Sequence, residues 1–230
     1  MSINVTSPFM PPLEEFQPYL EEIWKSKWLT NNGKFHLHLE EELCRYLGVR
    51  NICLFSNATL ALITALQALK ISGEVITTPF SFVATTHALW WNGIKPVFVD
   101  IEPATYNLNP NLLETAITPK TKVIMPVSLY GQPANMTAIN AIAKQYALAV
   151  VEDAAQSFGA KHHGAYSGGL STIGATSFFP SKPLGGYGDS GACFTNHPVL
   201  ATRLEQIRIH GQSARYSHAR LGINGRMDTI

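Results

Sequence analysis

The chain has 230 residues, a formal net charge of +1 and only 14% charged residues. This length allows one large domain or two small ones with a substantial core, and the near-neutral charge gives no reason to expect binding to nucleic acid or an anionic membrane. Average domains contain about 25% charged residues, so the low content predicts that a partner subunit covers part of the surface.

Short apolar segments alternate with longer segments of helical period. Helices are expected at 12–25, 35–47, 57–70, 81–92, 109–117, 135–146 and 198–210, and strands at 51–55, 74–78, 95–100, 122–127, 148–153, 176–179 and 191–196. Strand and helix in alternation indicate right-handed crossovers and a mainly parallel sheet with helices on both faces. We therefore predict one α/β domain, and ligands at the carboxyl ends of its strands.

The segment after the first strand, residues 56–62, has the sequence SNATLAL and leads directly into a helix. Free backbone N–H groups and a hydroxyl at a helix start suit a phosphate. The alternative is a plain helix cap made by Ser56 or Asn57. Taken alone, the segment favours the cap, because it is short and lacks the glycines of a P-loop.

Asp153 ends the apolar segment 148–152. A carboxylate at the mouth of a buried strand is costly to desolvate unless a positive or hydrogen-bonding group meets it. A protonated pyridine nitrogen, a metal, a ribose hydroxyl or an arginine would serve, and the alternative is a cap for a helix starting at Ala154. Glu152 is expected to face the other way, because successive strand residues point to opposite sides.

Lys182 lies in a segment rich in proline and glycine, residues 176–191, between two apolar strands. Reduced solvation of its ammonium group would favour the neutral, nucleophilic amine and Schiff-base chemistry. The glycines would let the backbone approach a ligand closely. The alternative is a surface lysine in a tight turn.

These motifs together resemble a known family. VEDAAQSFGA (151–160) followed by SFFPSKPLGGYGDSGACFTN (177–196) is similar to the DegT/DnrJ/EryC1/StrS family of pyridoxal-phosphate-dependent nucleotide-sugar aminotransferases. SNATLAL, TTPFSFVAT, PVSLYGQPA and NGRMD also match, in the family's order, so the resemblance covers essentially the whole chain. It implies the large domain of the fold type I, aspartate-aminotransferase-like transferases, here over residues 1–230. The smaller C-terminal domain of family members is expected to be absent, as in a truncated product.

The resemblance implies a role for each of three residues in the cofactor's chemistry. Lys182 would bond to the aldehyde of pyridoxal 5′-phosphate and then move protons as the acid and base. Asp153 would pair with the pyridine nitrogen. Gln156, expected one helical turn later, would contact the side that carries the 3-hydroxyl.

The resemblance also implies further cofactor contacts. Ala58, Thr59 and Ser177 would hold the phosphate. Phe82 would stack on the ring, although a lone phenylalanine can equally be a core residue of an amphipathic helix. Asn224 would reach the phosphate bound by the other subunit, which implies a homodimer with shared active sites.

The implied reaction moves an amino group, by family habit from L-glutamate, to a UDP- or dTDP-linked keto-sugar in surface-polysaccharide or other amino-sugar biosynthesis. The N-terminal stretch, with residues 93–103, resembles enzymes that aminate C4 of the sugar. The lysine segment and residues 208–224 resemble enzymes that aminate C3, and the position of the lysine slightly favours C3.

Other functions are less well supported. A nicotinamide-dependent dehydrogenase would need G-x-G-x-x-G after the first strand. Related sugar dehydratases have a histidine in place of Lys182, and a non-catalytic or regulatory fragment of the family stays open. No metal is expected, because the adjacent His162 and His163, interpreted as loop residues, lack a third ligand.

The remaining sequence features point to a cytoplasmic protein. Residues 1–16 lack the basic and apolar regions of a secretory signal, and apolar stretches are shorter than the roughly 20 residues that span a bilayer. Cys44, Cys53 and Cys193 are interpreted as small buried hydrophobic residues, because they are odd in number and lie in periodic segments.

Overall fold

The computed structural model describes residue 3 and residues 6–230. Residues 1, 2, 4 and 5, which belong to the stretch interpreted as lacking a secretory signal, lie outside the described residues. The helices are α1 (Leu13–Ser26), α2 (Lys34–Leu47), α3 (Ala58–Leu69), α4 (Ala84–Trp91), α5 (Leu113–Ala116), α6 (Met136–Gln145) and α7 (Pro198–Arg208). The strands are β1 (Asn51–Phe55), β2 (Glu74–Thr77), β3 (Lys95–Phe98), β4 (Thr121–Ile124), β5 (Ala149–Asp153), β6 (Lys161–His162), β7 (Ala165–Tyr166), β8 (Ile173–Ser177), β9 (Gly191–Thr195), β10 (Gln212–Ala214) and β11 (Ser217–His218).

Seven strands form one central sheet in the order β1-β9-β8-β5-β4-β2-β3. All pairs are parallel except those of β9, which runs antiparallel to both β1 and β8. The predicted mainly parallel sheet is therefore confirmed. The exception follows from the connection between β8 and β9, residues 178–190, because that segment contains no helix to carry the chain back for a parallel return.

Helices cover both faces of this sheet, and the alternation of side chains along the strands assigns each residue to one face. Val75 of β2 packs into a cluster with Ala61 and Leu62 of α3, whereas its neighbour Ile76 packs into a second cluster with Ile139 of α6. A third cluster joins α2 to the outer part of the sheet around β1 and β9. The carboxyl ends of the parallel strands are thereby fixed relative to the starts of the helices.

The boundaries differ from the sequence predictions in several places. The strand expected at 176–179 is β8, which begins and ends earlier, at Ile173–Ser177. The helix expected at 81–92 begins only at Ala84. The helix expected at 109–117 is a 3₁₀ turn, Pro110–Leu112, followed by the short α5. The β6–β7 and β10–β11 hairpins were not predicted, and the first places His162 in a strand and not in a loop.

The cysteines pack within the fold. Cys53 and Cys193 are buried and face each other in the β1–β9 pair, and Cys44 is half-buried. Burial raises the pKa of Cys53 to about 12, so its thiol stays protonated. Over residue 3 and residues 6–230, the helices are all too short or too polar to span a bilayer.

Candidate active site

A cavity of about 970 Å³ opens where the carboxyl ends of β1, β5 and β8 meet the start of α3. Seven of the eight residues predicted for the site line it: Ala58, Thr59, Phe82, Asp153, Gln156, Ser177 and Lys182. Asn224 is exposed and does not line this cavity. The structure thus brings together residues from four separate segments of the chain.

Asp153 ends β5 and is 5% exposed. Its Oδ2 accepts a hydrogen bond of 2.7 Å from Thr85 Oγ1, and its Oδ1 accepts one of 3.1 Å from the amide of Ala155. The alternative prediction of a cap for a helix at Ala154 is wrong, because residues after Asp153 form turns and no helix. The carboxylate is instead fixed at the mouth of a buried strand.

The groups around Asp153 offset only part of the cost of burying its charged carboxylate. Burial raises the pKa of this carboxyl group above its ordinary value, and the hydrogen bonds from Thr85 and Ala155 and the charge of Lys182 oppose that rise. The two hydrogen-bond donors are a hydroxyl and an amide, neither of which carries a charge. A cationic ligand group at this carboxylate would therefore be stabilised.

The start of α3 lies at another part of the cavity wall. Asn57 caps the helix through its Oδ1, which accepts from the amide of Leu60 at 2.9 Å, so the predicted cap is present. The first backbone hydrogen bond of the helix joins the amide of Ala61 to the carbonyl of Asn57. The amides of Ala58 and Thr59 come before it and have no acceptor within the helix. Capping and anion binding are thus compatible here, because the cap uses a different amide.

Ser177 is the last residue of β8 and is buried. Its hydroxyl accepts a hydrogen bond of 3.2 Å from the amide of Phe179, and Ser177 lines the same cavity as the start of α3. Ser177 stands at the edge of the sheet because β8 ends there and not at residue 179, as the sequence had predicted. Phe178 and Phe179 lie beyond the paired part of the strand. Ser177 is therefore placed to add a hydroxyl to an anion site.

Phe82 is 70% exposed and precedes α4. The alternative prediction of a helix-core residue is wrong, since the ring lines the open cavity.

Gln156 also lines the cavity, but it lies in a turn and not one helical turn after Asp153, so that expectation is wrong. Its Oε1 accepts from the amide of Tyr130 at 3.1 Å, which ties it to the loop after β4.

Lys182 is half-buried on the segment between β8 and β9. Its amide donates to the carbonyl of Phe179 at 2.8 Å, and Gly186 donates to Phe178 at 2.7 Å, so the segment folds back on itself. The side chain lines the cavity and its charge acts on Asp153. Lys182 therefore lies in a tight turn, as in the alternative, but it is half-buried and faces the cavity.

Sequence reasoning missed two hydroxyl residues that support Asp153. Thr85 is fully buried, and its Oγ1 lies 2.7 Å from Ser81 Oγ as well as from the Asp153 carboxylate. The only sequence signal for the pair was their spacing of four residues in the motif TTPFSFVAT, which is typical of neighbours on a helix. That spacing could not have shown that Thr85 contacts Asp153.

Glu152 faces away from Asp153, as predicted, into a separate polar cluster. Its carboxylate accepts from the hydroxyls of Ser128 and Ser167 and from the amide of Gly168. Burial is the main cause of the raised pKa of Glu152, and the nearby Asp153 adds to it. This cluster joins three segments behind the cavity.

Four features of the cavity fit pyridoxal phosphate. The start of α3 suits its phosphate, Phe82 offers an aromatic face, and the only partly compensated carboxylate of Asp153 suits a protonated ring nitrogen. Lys182 offers an amine for the aldehyde. Together with the sheet topology, these residues define the large domain of a fold type I pyridoxal-phosphate-dependent transferase.

The chain belongs to the DegT/DnrJ/EryC1/StrS aminotransferase family, whose sequence model matches residues 13–230, and this confirms the resemblance. It is 48% identical over 231 residues to dTDP-4-amino-4,6-dideoxy-D-glucose transaminase of Escherichia coli, covering 100% of this chain and 62% of that protein. It is 55% identical over 194 residues to UDP-2-acetamido-2-deoxy-3-oxo-D-glucuronate aminotransferase of Pseudomonas aeruginosa, covering 84% of this chain and 54% of that one.

A solved structure shows the same fold with a cofactor bound. The crystal structure of NtdA from Bacillus subtilis, with bound cofactor PMP, matches with a TM-score of 0.89 and 34% identity. The match covers 99% of this chain and 54% of NtdA. The chain thus spans between half and two thirds of the length of these relatives.

Proposed function

We propose that the protein transfers an amino group from L-glutamate to a nucleotide-linked keto-sugar, with pyridoxal phosphate as cofactor, in surface-polysaccharide or other amino-sugar biosynthesis. Residues 1–230 form its cofactor-binding large domain. The proposal depends on one observation: Lys182 and Asp153 line a single cavity, and the start of α3 lies in the same wall.

Each group at the cavity has a distinct task. When bound, the cofactor supplies a ring that withdraws electrons from the carbon bearing the amino group. Asp153 holds the proton on the ring nitrogen, because an ionised carboxylate in this buried place is stabilised by the opposite charge. Ala58 and Thr59 bind the phosphate through the helix start, and Ser177 adds a hydroxyl.

Lys182 acts on protons at the reacting carbon. Its Nζ would hold the cofactor through its aldehyde at rest and, once released, would take a proton from that carbon and return one as the acid. The proline-flanked segment keeps this amine at the cavity. Phe82 would cover one face of the ring, and Gln156 would orient the side that carries the 3-hydroxyl.

Amination at C3 of the sugar is slightly favoured over C4. The support is the lysine segment, which lies nearest to the chemistry and resembles enzymes that aminate C3. The overall identities do not separate the two positions, because they are 55% over 194 residues for the relative named for a 3-oxo sugar and 48% over 231 residues for the relative named for a 4-amino sugar. The nucleotide is UDP or dTDP, the two carriers that these names contain.

A homodimer with shared active sites completes the proposal. Asn224 is exposed and outside its own chain's cavity, which leaves it available to the phosphate site of a second copy. Trp90 and Trp91 expose 60% and 77% of their surface, which fits a face covered by a partner.

The test follows the bound cofactor by absorbance. Protein with pyridoxal phosphate should give a band at the border of the visible and ultraviolet, L-glutamate should bleach it, and Lys182→Ala should abolish it. The exposed Lys144, at the end of α6, provides the control Lys144→Ala, which should retain the band. A band that never responds to glutamate would instead support a non-catalytic fragment. Turnover of C3- and C4-keto nucleotide sugars then decides the regiochemistry.

A further inference from the structure

Three aromatic rings from different loops meet beside the cofactor cavity. The rings of Phe80 and Tyr106 stack at 5.7 Å, and Tyr130 packs edge-on against them at 6.5 and 6.3 Å. All three are substantially exposed, Tyr130 by 70% of its surface. We call these three residues the aromatic platform.

Both tyrosines of the platform adopt left-handed backbone conformations. Their φ angles are +59° for Tyr106 and +52° for Tyr130, a region that disfavours residues with a side chain. Such conformations persist only where the surrounding structure enforces them, and they concentrate at functional sites. In Tyr106 and Tyr130 this conformation brings two rings from different loops together, where they pack edge-on.

Buried hydrogen bonds hold the two tyrosine loops together. Asn107, next to Tyr106, is buried, and its Oδ1 accepts from the amide of Leu129 at 2.9 Å. Its Nδ2 donates to the carbonyl of Gln132 at 3.1 Å, so one side chain grips both sides of Tyr130. The exposed rings thus stand on a rigid, internally bonded base.

The platform is continuous with the cofactor cavity. A smaller cavity of about 280 Å³ is lined by Phe80 and Tyr130 and also by Ser81, Phe82 and Gln156. The last three residues line the cofactor cavity too. The amide of Tyr130 donates to Gln156, so the platform and the site of chemistry share a wall.

We propose that the aromatic platform stacks the nucleobase of the nucleotide-linked sugar while the sugar reaches Lys182. This inference rests on the proposed function, and it adds the residues that bind the carrier. Flat, exposed aromatic rings stack on bases with little dependence on base identity, because every base has a π face. The platform should therefore accept uracil and thymine with similar affinity.

The experiment measures the Kd of UDP and of dTDP by calorimetry in the full-length protein carrying its cofactor. Phe80→Leu and Tyr130→Leu keep an apolar side chain but remove the ring, and each should weaken both nucleotides by roughly five- to a hundredfold. Tyr130→Phe keeps the ring and should retain wild-type affinity. The matched control is Tyr146→Leu, since Tyr146 is 39% exposed, close to the 42% of Phe80, but lies between α6 and the start of β5, at the opposite end of the strands from the platform.

The outcomes separate this inference from the proposed function. Unchanged nucleotide Kd values in both leucine variants, with keto-sugar turnover intact in the wild type, would overturn the platform alone. A wild-type protein that neither binds a nucleotide nor turns over any nucleotide keto-sugar would overturn both. Loss of dimers in Tyr130→Leu without any change in Kd would show that the platform is a subunit contact, and would overturn it as a base site.

Discussion

Thr85 and Asp153 lie 68 positions apart in the chain, yet the threonine hydroxyl donates a 2.7 Å hydrogen bond to the carboxylate. Ser81 lies within hydrogen-bond distance of the same hydroxyl. The side chain that is proposed to hold the cofactor's ring nitrogen is therefore oriented by the segment that also carries Phe82. In the proposed function, one short stretch before and within α4 would both cover the cofactor's ring and position the carboxylate that pairs with it.

Thr85→Val removes the donor while keeping the shape of the side chain. We expect pyridoxal phosphate to bind about tenfold more weakly, because a hydrogen bond to a charged group is worth about 1.5–3 kcal/mol. Titration of the bound-cofactor absorbance gives the Kd. Thr64→Val is the control, since the buried hydroxyl of Thr64 lacks a partner among the described residues. Equal affinities in the two variants would show that the hydrogen bond does not position Asp153 for the cofactor.

Asp153→Asn should separate stability from cofactor binding. Burial raises the pKa of Asp153 above 3.8, so the folded apoprotein binds more protons than the unfolded chain between that value and the raised one. The free energy of unfolding therefore falls as pH rises through this window, by about 1.4 kcal/mol for each unit of the rise. Asparagine has no such proton to lose.

We therefore expect the apo Asp153→Asn protein to be more stable than wild type at neutral pH and equally stable below about pH 3.8. It should also bind pyridoxal phosphate poorly. Urea unfolding of both apoproteins across this pH range is the measurement. A wild-type apoprotein that is the more stable of the two at pH 7 would contradict the sign of the shift.

Glu152→Ala should destabilise the fold by about 3 kcal/mol, because two hydroxyls and one amide lose a buried acceptor. Glu152→Gln should lose less, since the amide oxygen can still accept from Gly168. Thermal or urea unfolding measures both, and Glu41→Ala on the exposed face of α2 should be nearly neutral. An alanine variant as stable as the Glu41 control would show that the cluster does not stabilise the fold.

Local pattern predicted most of this fold, because most central strands are short apolar segments, buried at every position in β8 and β9, and the longer helices have a recurring apolar face. Two-residue strands such as β6 and β7 are too short to give either signal. The helical turn predicted between Asp153 and Gln156 does not form, because of a contact with a distant strand. The amide of Ala154 donates to Ala175 of β8, which extends the sheet pairing past the point where a helix could begin.

The site was predictable to the extent that its residues stand at the ends of strands. Asp153 and Lys182 could be chosen by chemistry and position, and the family's motifs added Phe82 and Ser177. Thr85 could not be chosen, because its importance lies in a contact with a distant strand. Asn224 could be given a role only by resemblance, since that role depends on a second subunit.

Gly191 offers the sharpest test of the proposed anion site at the start of α3. A Cβ at this position would lie 2.6 Å from the amide nitrogen of Ala58 and 2.8 Å from the carbonyl oxygen of Thr176. Both are backbone atoms that cannot swing aside, so Gly191→Ala must displace either the helix start or β9. We expect a loss of pyridoxal phosphate affinity of at least tenfold, measured by absorbance titration.

Gly188→Ala is the matched control, because a Cβ there meets no atom within 4 Å and the residue belongs to the same lysine-bearing segment. It should bind pyridoxal phosphate like wild type. Inorganic phosphate should protect wild type and Gly188→Ala against thermal unfolding in the absence of cofactor, and should protect Gly191→Ala less. If phosphate protects all three proteins equally, the amides of Ala58 and Thr59 are not the anion site, since they are the groups that the added methyl group displaces.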